Sequence, residues 1–275
     1  MSYKGFSNPQ LLMSPQDLKK RLGEPSLCLV DTRATHEYAT GHIPGAIHLD
    51  FFNISLADTR RKVFDAFMSM MGYLMFSRGI SFDKTVVFYE NIAGMRAARG
   101  FWFCEYLGLK DVRVLDDGLA AWTKAGYPVT TECTAPERGS FDTEPQPGRH
   151  IGVEELKSVL GHRDCVILDV RNADEYHGRV ARAARAGAIP GAVHIEYKHN
   201  LDESGAFKTA AQLSALYEGV GVTRDKSVIC YCQGGYRSAL TYLALRLLGY
   251  PDVRNYIGSW KEWGDRTDLP IEIFG

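Results

Sequence analysis

Short apolar runs alternate with segments of helical periodicity along this chain, and the alternation occurs twice. The first half predicts buried strands at Leu27–Asp31, Thr85–Tyr89 and Val112–Leu115, with helices over residues 15–22 and Met95–Leu107. The second half predicts strands at Cys165–Asp169, Ser227–Tyr231 and 253–256, with helices over 153–160, 212–217 and 238–248. Strands that alternate with helices are typical of a mostly parallel sheet covered on both faces. The pattern therefore predicts an α/β fold.

The two halves also share sequence, which indicates a duplication. The run LVDTRATHEY from Leu29 matches LDVRNADEY from Leu168, with Asp, Arg, Glu and Tyr in register, and GHIPGAIH from Gly41 matches GAIPGAVH from Gly187. The offset is 138 at the first pair and 146 at the second, so the second copy carries eight extra residues within 177–186. A period this long is typical of duplicated domains rather than of a solenoid.

The domain limits follow from this repeat and from a polar stretch between the copies. We expect a first domain over residues 1–132, a linker over 133–148 and a second domain over 149–275. The linker is interrupted by Pro136, Gly139, Pro145 and Pro147. Each domain then holds about 130 residues, which is enough for a core of its own.

Composition narrows the functional class. The chain has 275 residues, a formal charge of −1 and scattered charges of both signs, which predicts no nucleic-acid or membrane partner. No transmembrane run or signal-peptide core is evident, so we expect a cytoplasmic protein, and a monomer. The six cysteines form no CxxC pair and no histidines have zinc spacing, so we expect no metal and no organic cofactor. Cys28, Cys165 and Cys230 lie in apolar runs and are interpreted as packing residues, with a resolving role for Cys230 as the alternative.

The candidate nucleophile is Cys232, which follows the predicted strand at Ser227–Tyr231. The loop between a strand and a helix start directs backbone N–H groups and the positive end of the helix dipole at its contents. That setting favours a thiolate and lowers the cysteine pKa. Gly234 and Gly235 let the loop curl. Arg237 stands on the first helical turn, where a cation is tolerated if an anion lies between it and the helix terminus.

The first copy provides an internal comparison. Its corresponding run keeps the strand and an arginine, Arg96, but has Glu90 where the second copy has Cys232. A carboxylate cannot replace a thiolate nucleophile and repels an anionic substrate. We therefore expect the first domain to be catalytically silent and to form one wall of a cleft, with Glu90 as a working base being the alternative.

Together these motifs resemble the tandem-domain rhodaneses, a family of sulfurtransferases, and are closest to the bacterial thiosulfate-type members. The resemblance covers nearly the whole chain, including the closing run YIGSWKEW from Tyr256 to Trp263. It implies two tandem rhodanese-like domains and an enzyme that carries a persulfide on Cys232. The implied active loop has six residues, Cys232 to Arg237, and needs no cofactor.

The resemblance also implies a mechanism by double displacement. The Cys232 thiolate takes the outer sulfur of thiosulfate, sulfite leaves, and cyanide or a thiol accepts the sulfur from the persulfide. Arg237 is expected to hold the sulfonate oxygens. The expected substrate-binding loop comprises Gln233, Gly234, Gly235, Tyr236, Arg237 and Ser238.

Three alternatives stay open at this point. Related cysteine phosphatases have five residues between cysteine and arginine, whereas four lie between Cys232 and Arg237. A 3-mercaptopyruvate sulfurtransferase and a persulfide carrier for a protein partner are the others. Vertebrate-type rhodaneses carry an arginine at the position of Glu175, so thiosulfate binding here cannot depend on that contact.

Several further residues allow two interpretations. Asp31 with Arg33, and Asp169 with Arg171, recur in both copies and are interpreted as structural ion pairs. Tyr236 and Trp260 line an acceptor pocket or pack in the core. The arginines within 179–185 supply charge to the cleft or form a solvated loop. The Met-rich run 67–76 belongs to the core or a domain contact, or is a partner surface. The histidines of the two Ile-Pro-Gly-Ala segments are expected to satisfy local turns: His42, His48 and His194.

Overall fold

The first half of the chain forms a five-stranded sheet with helices around it. The computed structural model describes residues 3–139 and 143–274. The strands are β1 Leu12–Met13, β2 Leu27–Asp31, β3 Ile47–His48, β4 Thr85–Tyr89 and β5 Val112–Leu115. The helices are α1 Pro15–Arg21, α2 Thr35–Thr40, α3 Arg61–Phe76, α4 Met95–Leu107 and α5 Gly118–Lys124. Short 3₁₀ turns occur at Tyr3–Gly5 and Pro9–Leu11.

The second half repeats this plan with four strands. They are β6 Cys165–Asp169, β7 Val193–His194, β8 Ser227–Tyr231 and β9 Val253–Asn255. The helices are α6 Val153–Ser158, α7 Ala173–Tyr176, α8 Ala210–Glu218, α9 Arg237–Leu247 and α10 Ser259–Trp263. The 3₁₀ turns lie at Pro147–Arg149 and Tyr197–Asn200.

Both sheets are parallel, with strand orders β1-β5-β4-β2-β3 and β7-β6-β8-β9. The carboxyl ends of all strands of a sheet therefore lie at one edge, which is where ligands bind in open parallel sheets. Strands β4 and β8 are inner strands of their sheets, and their carboxyl ends precede Glu90 and Cys232. The predicted α/β fold with two parallel-sheet domains is confirmed.

The duplication extends to individual hydrogen bonds. Arg33 Nε donates to both oxygens of Asp31, and Arg171 Nε does the same to Asp169, at 3.0–3.1 Å. Each guanidinium also donates to a backbone carbonyl of the following loop, at 2.7 Å in both copies. Because both pairs are buried and one copy lacks the cysteine, they fix the turn after β2 and β6. Their interpretation as structural ion pairs is confirmed.

The histidines of the two loops also form local contacts. His48 Nε2 lies 2.9 Å from the Arg33 carbonyl, and His194 Nε2 lies 2.8 Å from the Arg171 carbonyl. His42 contacts the Tyr38 carbonyl at 2.8 Å and stacks on the Tyr38 ring. These contacts agree with the interpretation of the three histidines as turn-stabilising residues.

One large hydrophobic cluster contains residues of both halves, in addition to a smaller cluster within each half. Helices α4 and α9 pack against each other, and both are buried on nearly all sides. A helix that is buried on nearly every side needs partners on every face, so each of the two helices packs against both repeats. A partly buried network crosses the same contact, in which Glu105 of α4 accepts hydrogen bonds from Tyr242 and Arg246 of α9.

Helix α3 accounts for the Met-rich run. Met68, Met71 and Met75 point into the shared core, whereas Met70 and Tyr73 are exposed. The core interpretation is therefore confirmed for one face of the helix. Trp260 is fully buried among core residues, so the packing interpretation holds for it.

The predicted elements differ from the observed ones mainly at their ends. Predicted helices 15–22 and 153–160 end one and two residues early, at Arg21 and Ser158. The helix predicted over 238–248 begins and ends one residue earlier, that over 212–217 is longer at both ends, and the strand predicted over 253–256 ends at Asn255. In the described part of the chain, no helix combines the length and apolarity needed to cross a bilayer.

Candidate active site

Cys232 lies at the base of a cleft between the two repeats, with 1% of its surface exposed. The cleft has a volume of about 610 Å³. Phe52, Asn53, Ser55 and Met95 of the first repeat line one wall. The second repeat contributes the loop after β8 and further side chains, listed here: Arg182, Tyr197, Cys232, Gln233, Gly234, Tyr236, Arg237, Lys261 and Asp265.

The closing run of the chain holds the loop in place. The Ser259 hydroxyl accepts a hydrogen bond from the Cys232 amide at 3.1 Å. The Trp260 amide donates to the Cys232 carbonyl, and the Lys261 amide donates to the Gln233 carbonyl, both at 2.9 Å. The first turn of α10 is thus bonded to the first two loop residues.

Two hydrogen-bonding groups lie beside the Cys232 sulfur. The Gly235 amide lies 3.2 Å from Sγ, and the Ser238 hydroxyl lies 3.6 Å from Sγ and 2.7 Å from Oδ1 of Asn255. Burial raises the pKa of Cys232, but the charge of Arg237 and the hydrogen bonds of Ser238 lower it by more, so the net shift is downward. The loop therefore favours a thiolate.

Arg237 is paired with a carboxylate. Its Nη1 and Nη2 donate to the two oxygens of Glu175 at 2.5 and 2.9 Å. Burial lowers the pKa of Arg237, but the hydrogen bond to Glu175 and the nearby Cys232 raise it above its ordinary value. Glu175 is thus an anion beside the cation at the helix start. The expectation that Arg237 holds a sulfonate must accommodate this pair, and it stays a prediction.

Gln233 and Tyr236 are anchored outside the loop. Gln233 Nε2 donates to the Arg182 carbonyl at 2.7 Å, so the loop is tied to the inserted segment. Tyr236 donates through its hydroxyl to the carbonyls of Phe51 and Ile54 in the first repeat, at 2.5 and 3.1 Å. Tyr236 therefore lines the cleft and also joins the two repeats.

The three arginines of the inserted segment have different environments. Arg179 is exposed and pairs with Asp174 at 3.1 Å. Arg185 donates to backbone carbonyls of residues 263–269 and fixes the end of the chain. Arg182 lines the cleft, with 56% of its side chain exposed and Glu175 at 3.7 Å. One of the three arginines therefore supplies charge to the cleft.

The first repeat fills the corresponding loop with its own carboxylate. Oε1 of Glu90 accepts hydrogen bonds from the amides of Arg96 and Ala97, at 2.7 and 3.2 Å. Burial raises the pKa of Glu90 to about 7, against these amides, which lower it. A Cβ on Gly94 would lie 2.3–2.6 Å from the Glu90 carboxyl group, so the loop closes tightly on it.

Arg99 of α4 was not among the predicted site residues. It is fully buried, and its guanidinium donates to the Gly234 carbonyl of the active loop and to the Ile54 carbonyl, at 2.7 and 2.8 Å. It also lies over the Tyr236 ring at 3.8 Å. The sequence carried one signal: the offset of 141 that aligns Arg96 with Arg237 aligns Arg99 with Leu240, so a charge replaces an apolar residue.

The other cysteines differ from Cys232. All six are free, and Cys230 is fully buried in β8, where burial raises its pKa. Cys28 is buried as well, and burial raises its pKa to about 12. Among residues 3–139 and 143–274, no group of three or more His, Cys, Asp or Glu side chains is arranged to hold a metal ion.

The sequence profile of the rhodanese-like domain matches residues 14–125 and again residues 152–266. The chain belongs to the rhodanese-like family. The tandem arrangement of two rhodanese-like domains, which the resemblance implied, is confirmed. The two matched ranges cover the two parallel sheets, except for β1, and include the Cys232 loop.

Two full-length relatives are thiosulfate sulfurtransferases by name, and a third is named as a sulfur carrier protein. The chain is 36% identical over 272 residues to a thiosulfate sulfurtransferase of Pseudomonas aeruginosa, covering 98% of this chain and 99% of the relative. It is 35% identical to that of Azotobacter vinelandii over the same shares. It is also 36% identical to the sulfur carrier protein TtuD of Thermus thermophilus, covering 97% and 98%. These relatives support sulfurtransferase activity for this rhodanese-like chain.

Solved structures share the fold. The anaerobic ergothioneine biosynthesis enzyme from Chlorobium limicola, in complex with trimethyl histidine, superimposes with a TM-score of 0.88 at 24% identity. The match covers 98% of this chain and 72% of that one. At this identity the likeness is one of fold.

Proposed function

We propose that the protein is a thiosulfate sulfurtransferase that transfers sulfur to cyanide or a thiol through a persulfide on Cys232. The observation that carries the proposal is the placement of Cys232: a thiol with a lowered pKa, at the base of the cleft, beneath hydrogen-bond donors. The names of the full-length relatives favour thiosulfate as the donor.

In the first step the Cys232 thiolate attacks the outer sulfur of thiosulfate. A bond forms between Sγ and that sulfur, the S–S bond of thiosulfate breaks, and sulfite leaves with the electron pair. The Gly235 amide, which contacts Sγ in the free enzyme, lies close enough to stabilise the negative charge of the persulfide.

In the second step an acceptor nucleophile attacks the outer sulfur of the persulfide. Cyanide gives thiocyanate, or a thiolate gives a new persulfide, and Cys232 leaves as the thiolate that began the cycle. The bond broken in this step is the one formed in the first, so no external oxidant or reductant is needed.

Charge at the mouth of the cleft fits an anionic donor. Arg182 and Lys261 line the cleft with Arg237, against a single lining carboxylate, Asp265. Because Glu175 already neutralises much of the Arg237 charge, we assign recruitment of the thiosulfate dianion chiefly to Arg182 and Lys261.

We further propose that the first repeat carries no sulfur. Glu90 occupies its loop and already accepts the amides there, so the loop has neither a nucleophile nor a free anion site. Its contribution is the wall of the cleft that contains Phe52 and Met95.

The test is the mass of the intact protein after incubation with thiosulfate and removal of excess reagent. We expect a gain of one sulfur atom, lost again with cyanide as thiocyanate forms. The gain should be absent in Cys232→Ala and unchanged in Cys133→Ala, since Cys133 is an exposed thiol outside the cleft. A gain that persists in Cys232→Ala contradicts the proposal.

A second candidate is a sulfur carrier for a protein partner, which the TtuD match favours. A carrier and an enzyme form the same persulfide but differ in turnover. Repeated thiocyanate formation at substrate excess supports the enzyme, whereas a single stoichiometric transfer supports the carrier.

The alternative sulfur donor is 3-mercaptopyruvate. Pyruvate release from 3-mercaptopyruvate that is faster than sulfite release from thiosulfate would identify a mercaptopyruvate enzyme.

A further inference from the structure

Arg99 is a buried cation from the repeat that lacks the cysteine. Its side chain is fully inaccessible, and it forms no ion pair with any carboxylate in the described ranges. Its Nε has no hydrogen-bond partner among the described atoms. Burying a charge without a counterion is costly, so a compensating interaction is expected nearby.

The interaction that Arg99 does make leads directly to the nucleophile. Nη1 donates to the carbonyl of Gly234 at 2.7 Å. That carbonyl belongs to the same peptide group as the N–H of Gly235, which donates to Cys232 Sγ at 3.2 Å. One planar peptide therefore connects the guanidinium on one side with the sulfur on the other.

This connection has two physical effects on the sulfur. The hydrogen bond to the carbonyl fixes the plane of the peptide, and with it the direction of the Gly235 N–H. A cation on the carbonyl oxygen also polarises the peptide, which strengthens the N–H as a donor in a low-dielectric interior. Both effects stabilise negative charge on Cys232 more than they stabilise the neutral thiol.

The packing favours glycine at position 235 of this peptide. The φ angle of Gly235 is +84°, and a Cβ there would lie 2.9 Å from Arg99 Nη1 and 3.0 Å from the Ile257 carbonyl oxygen. The guanidinium is itself held by the Ile54 carbonyl at 2.8 Å and by the Tyr236 ring at 3.8 Å. The arrangement is thus fixed from both repeats.

We propose that Arg99 is a positioning residue that acts through the Gly234–Gly235 peptide to hold Cys232 as a thiolate, so that the first repeat activates the nucleophile of the second. The inference rests on the proposed function in taking Cys232 as the nucleophile. It gives the first repeat a role beyond forming a wall.

Other titratable or charged groups surround Cys232 or line the same cleft and must be kept unchanged in a test. They are Cys230 on β8, Arg182 in the inserted segment, Glu175 on α7, Tyr236 directly before α9, Arg237 on α9, Lys261 on α10, and Asp265 after α10.

The test measures the thiolate pKa directly, from the pH dependence of Cys232 alkylation by iodoacetamide, with Cys232→Ala as the background. Arg99→Met and Arg99→Gln remove the charge. We expect both to raise the pKa of Cys232 by about one unit, which corresponds to an approximately tenfold slower alkylation below that pKa. Arg99→Lys should give a smaller rise, since an ammonium lacks the planar fork that contacts two carbonyls.

The matched control is Glu105→Gln, which removes the ion pair with Arg246 in the same contact of α4 and α9 without touching the loop. It should leave the pKa of Cys232 unchanged. An equal rise in Glu105→Gln and Arg99→Met would mean that general loosening of the contact is responsible, and would overturn the proposal.

Folding of each variant is monitored by circular dichroism and urea unfolding. If the neutral variants do not fold, Arg99→Lys decides: a raised pKa supports the proposal. A wild-type pKa in every folded Arg99 variant overturns it.

The two proposals fail separately. If thiosulfate adds no sulfur to the wild-type protein, the proposed function fails, yet the alkylation profile still reports whether Arg99 controls the thiol. If sulfur is added normally and the Arg99 variants keep the wild-type pKa, only the present inference fails.

Discussion

Arg237 and Glu175 form a two-point ion pair within the candidate site, with N···O distances of 2.5 and 2.9 Å and little exposure of either side chain. The pair neutralises a cation beside the nucleophile before any substrate arrives. Its partner carboxylate lies on α7, directly before Tyr176. The net charge beside Cys232 therefore depends partly on a residue outside the active loop.

Replacing Glu175 by glutamine should strengthen binding of an anionic donor. The change keeps the side-chain shape but removes one negative charge beside the cleft, so Arg237 is no longer neutralised. We expect the KM for thiosulfate to fall by about threefold to tenfold, as for a partly screened charge at short range. Steady-state kinetics at low ionic strength checks this. A raised KM would mean that the carboxylate positions Arg237 for binding.

Replacing Arg182 by glutamine should weaken donor capture. Arg182 faces the cleft, so its loss lowers the local positive potential, and we expect the KM for thiosulfate to rise several-fold at low salt, with a smaller effect at high salt.

The control for Arg182 is Arg179→Gln, in the same inserted segment. It removes an equal charge from an exposed pair with Asp174 outside the cleft lining. Equal effects of the two variants would show that only the net charge of the protein matters.

Replacing Gly235 by alanine should destabilise the fold. The positive φ and the two close contacts of a new Cβ together cost about 1–3 kcal/mol, the range for a strained backbone position. Urea unfolding measures the loss. The matched change Gly234→Ala places its Cβ 3.7 Å from the nearest atom and should alter stability much less. Similar losses in both variants would contradict the account of the Gly235 packing.

Glu90 should make stability depend on pH. Its pKa in the folded protein is raised to about 7 by burial, above the ordinary value of 4.5. Between these two values the unfolded chain has lost the proton that the folded chain keeps. The contribution of protonated Glu90 to the free energy of unfolding is therefore fully present below pH 4.5 and is lost as the pH rises through about 7.

Glu90→Gln tests this dependence. The amide keeps an acceptor for Arg96 and Ala97 but cannot ionise, so the variant should be more stable than the wild type at pH 8. Because Glu90 is partly exposed, we expect a gain of about 1–2 kcal/mol rather than the full value of the shift. Unfolding free energies at pH 5 and pH 8 measure it. A variant that is less stable than the wild type at both values would refute the assignment.

The repeat made much of the fold predictable. Strands such as Leu27–Asp31 and Ser227–Tyr231 were predicted at their observed limits because buried parallel strands are continuous apolar runs bounded by turns. Two-residue strands such as Ile47–His48 were not predicted, since they are too short to show a period. Helix ends shifted by a residue or two because capping depends on local geometry that the apolar pattern does not encode.

The site residues that are close together in sequence were predictable, whereas those that tertiary packing brings to the loop were not. Cys232 and its loop are contiguous, so their spacing alone indicates a cradle. Glu175 and Arg99 reach the loop only through tertiary packing, from α7 and from the other repeat. Arg237 was assigned to substrate alone because nothing in its neighbourhood along the chain indicates a carboxylate partner.

The contact between α4 and α9 determines what happens when the two repeats are produced as separate fragments. Both helices are buried on nearly every side. A fragment with only the second repeat would therefore expose a large apolar surface, and it would lack the Arg99 guanidinium that contacts the Cys232 loop. Separate expression of the halves should therefore yield aggregates, and co-expression of the two halves is the practical way to recover the assembled protein.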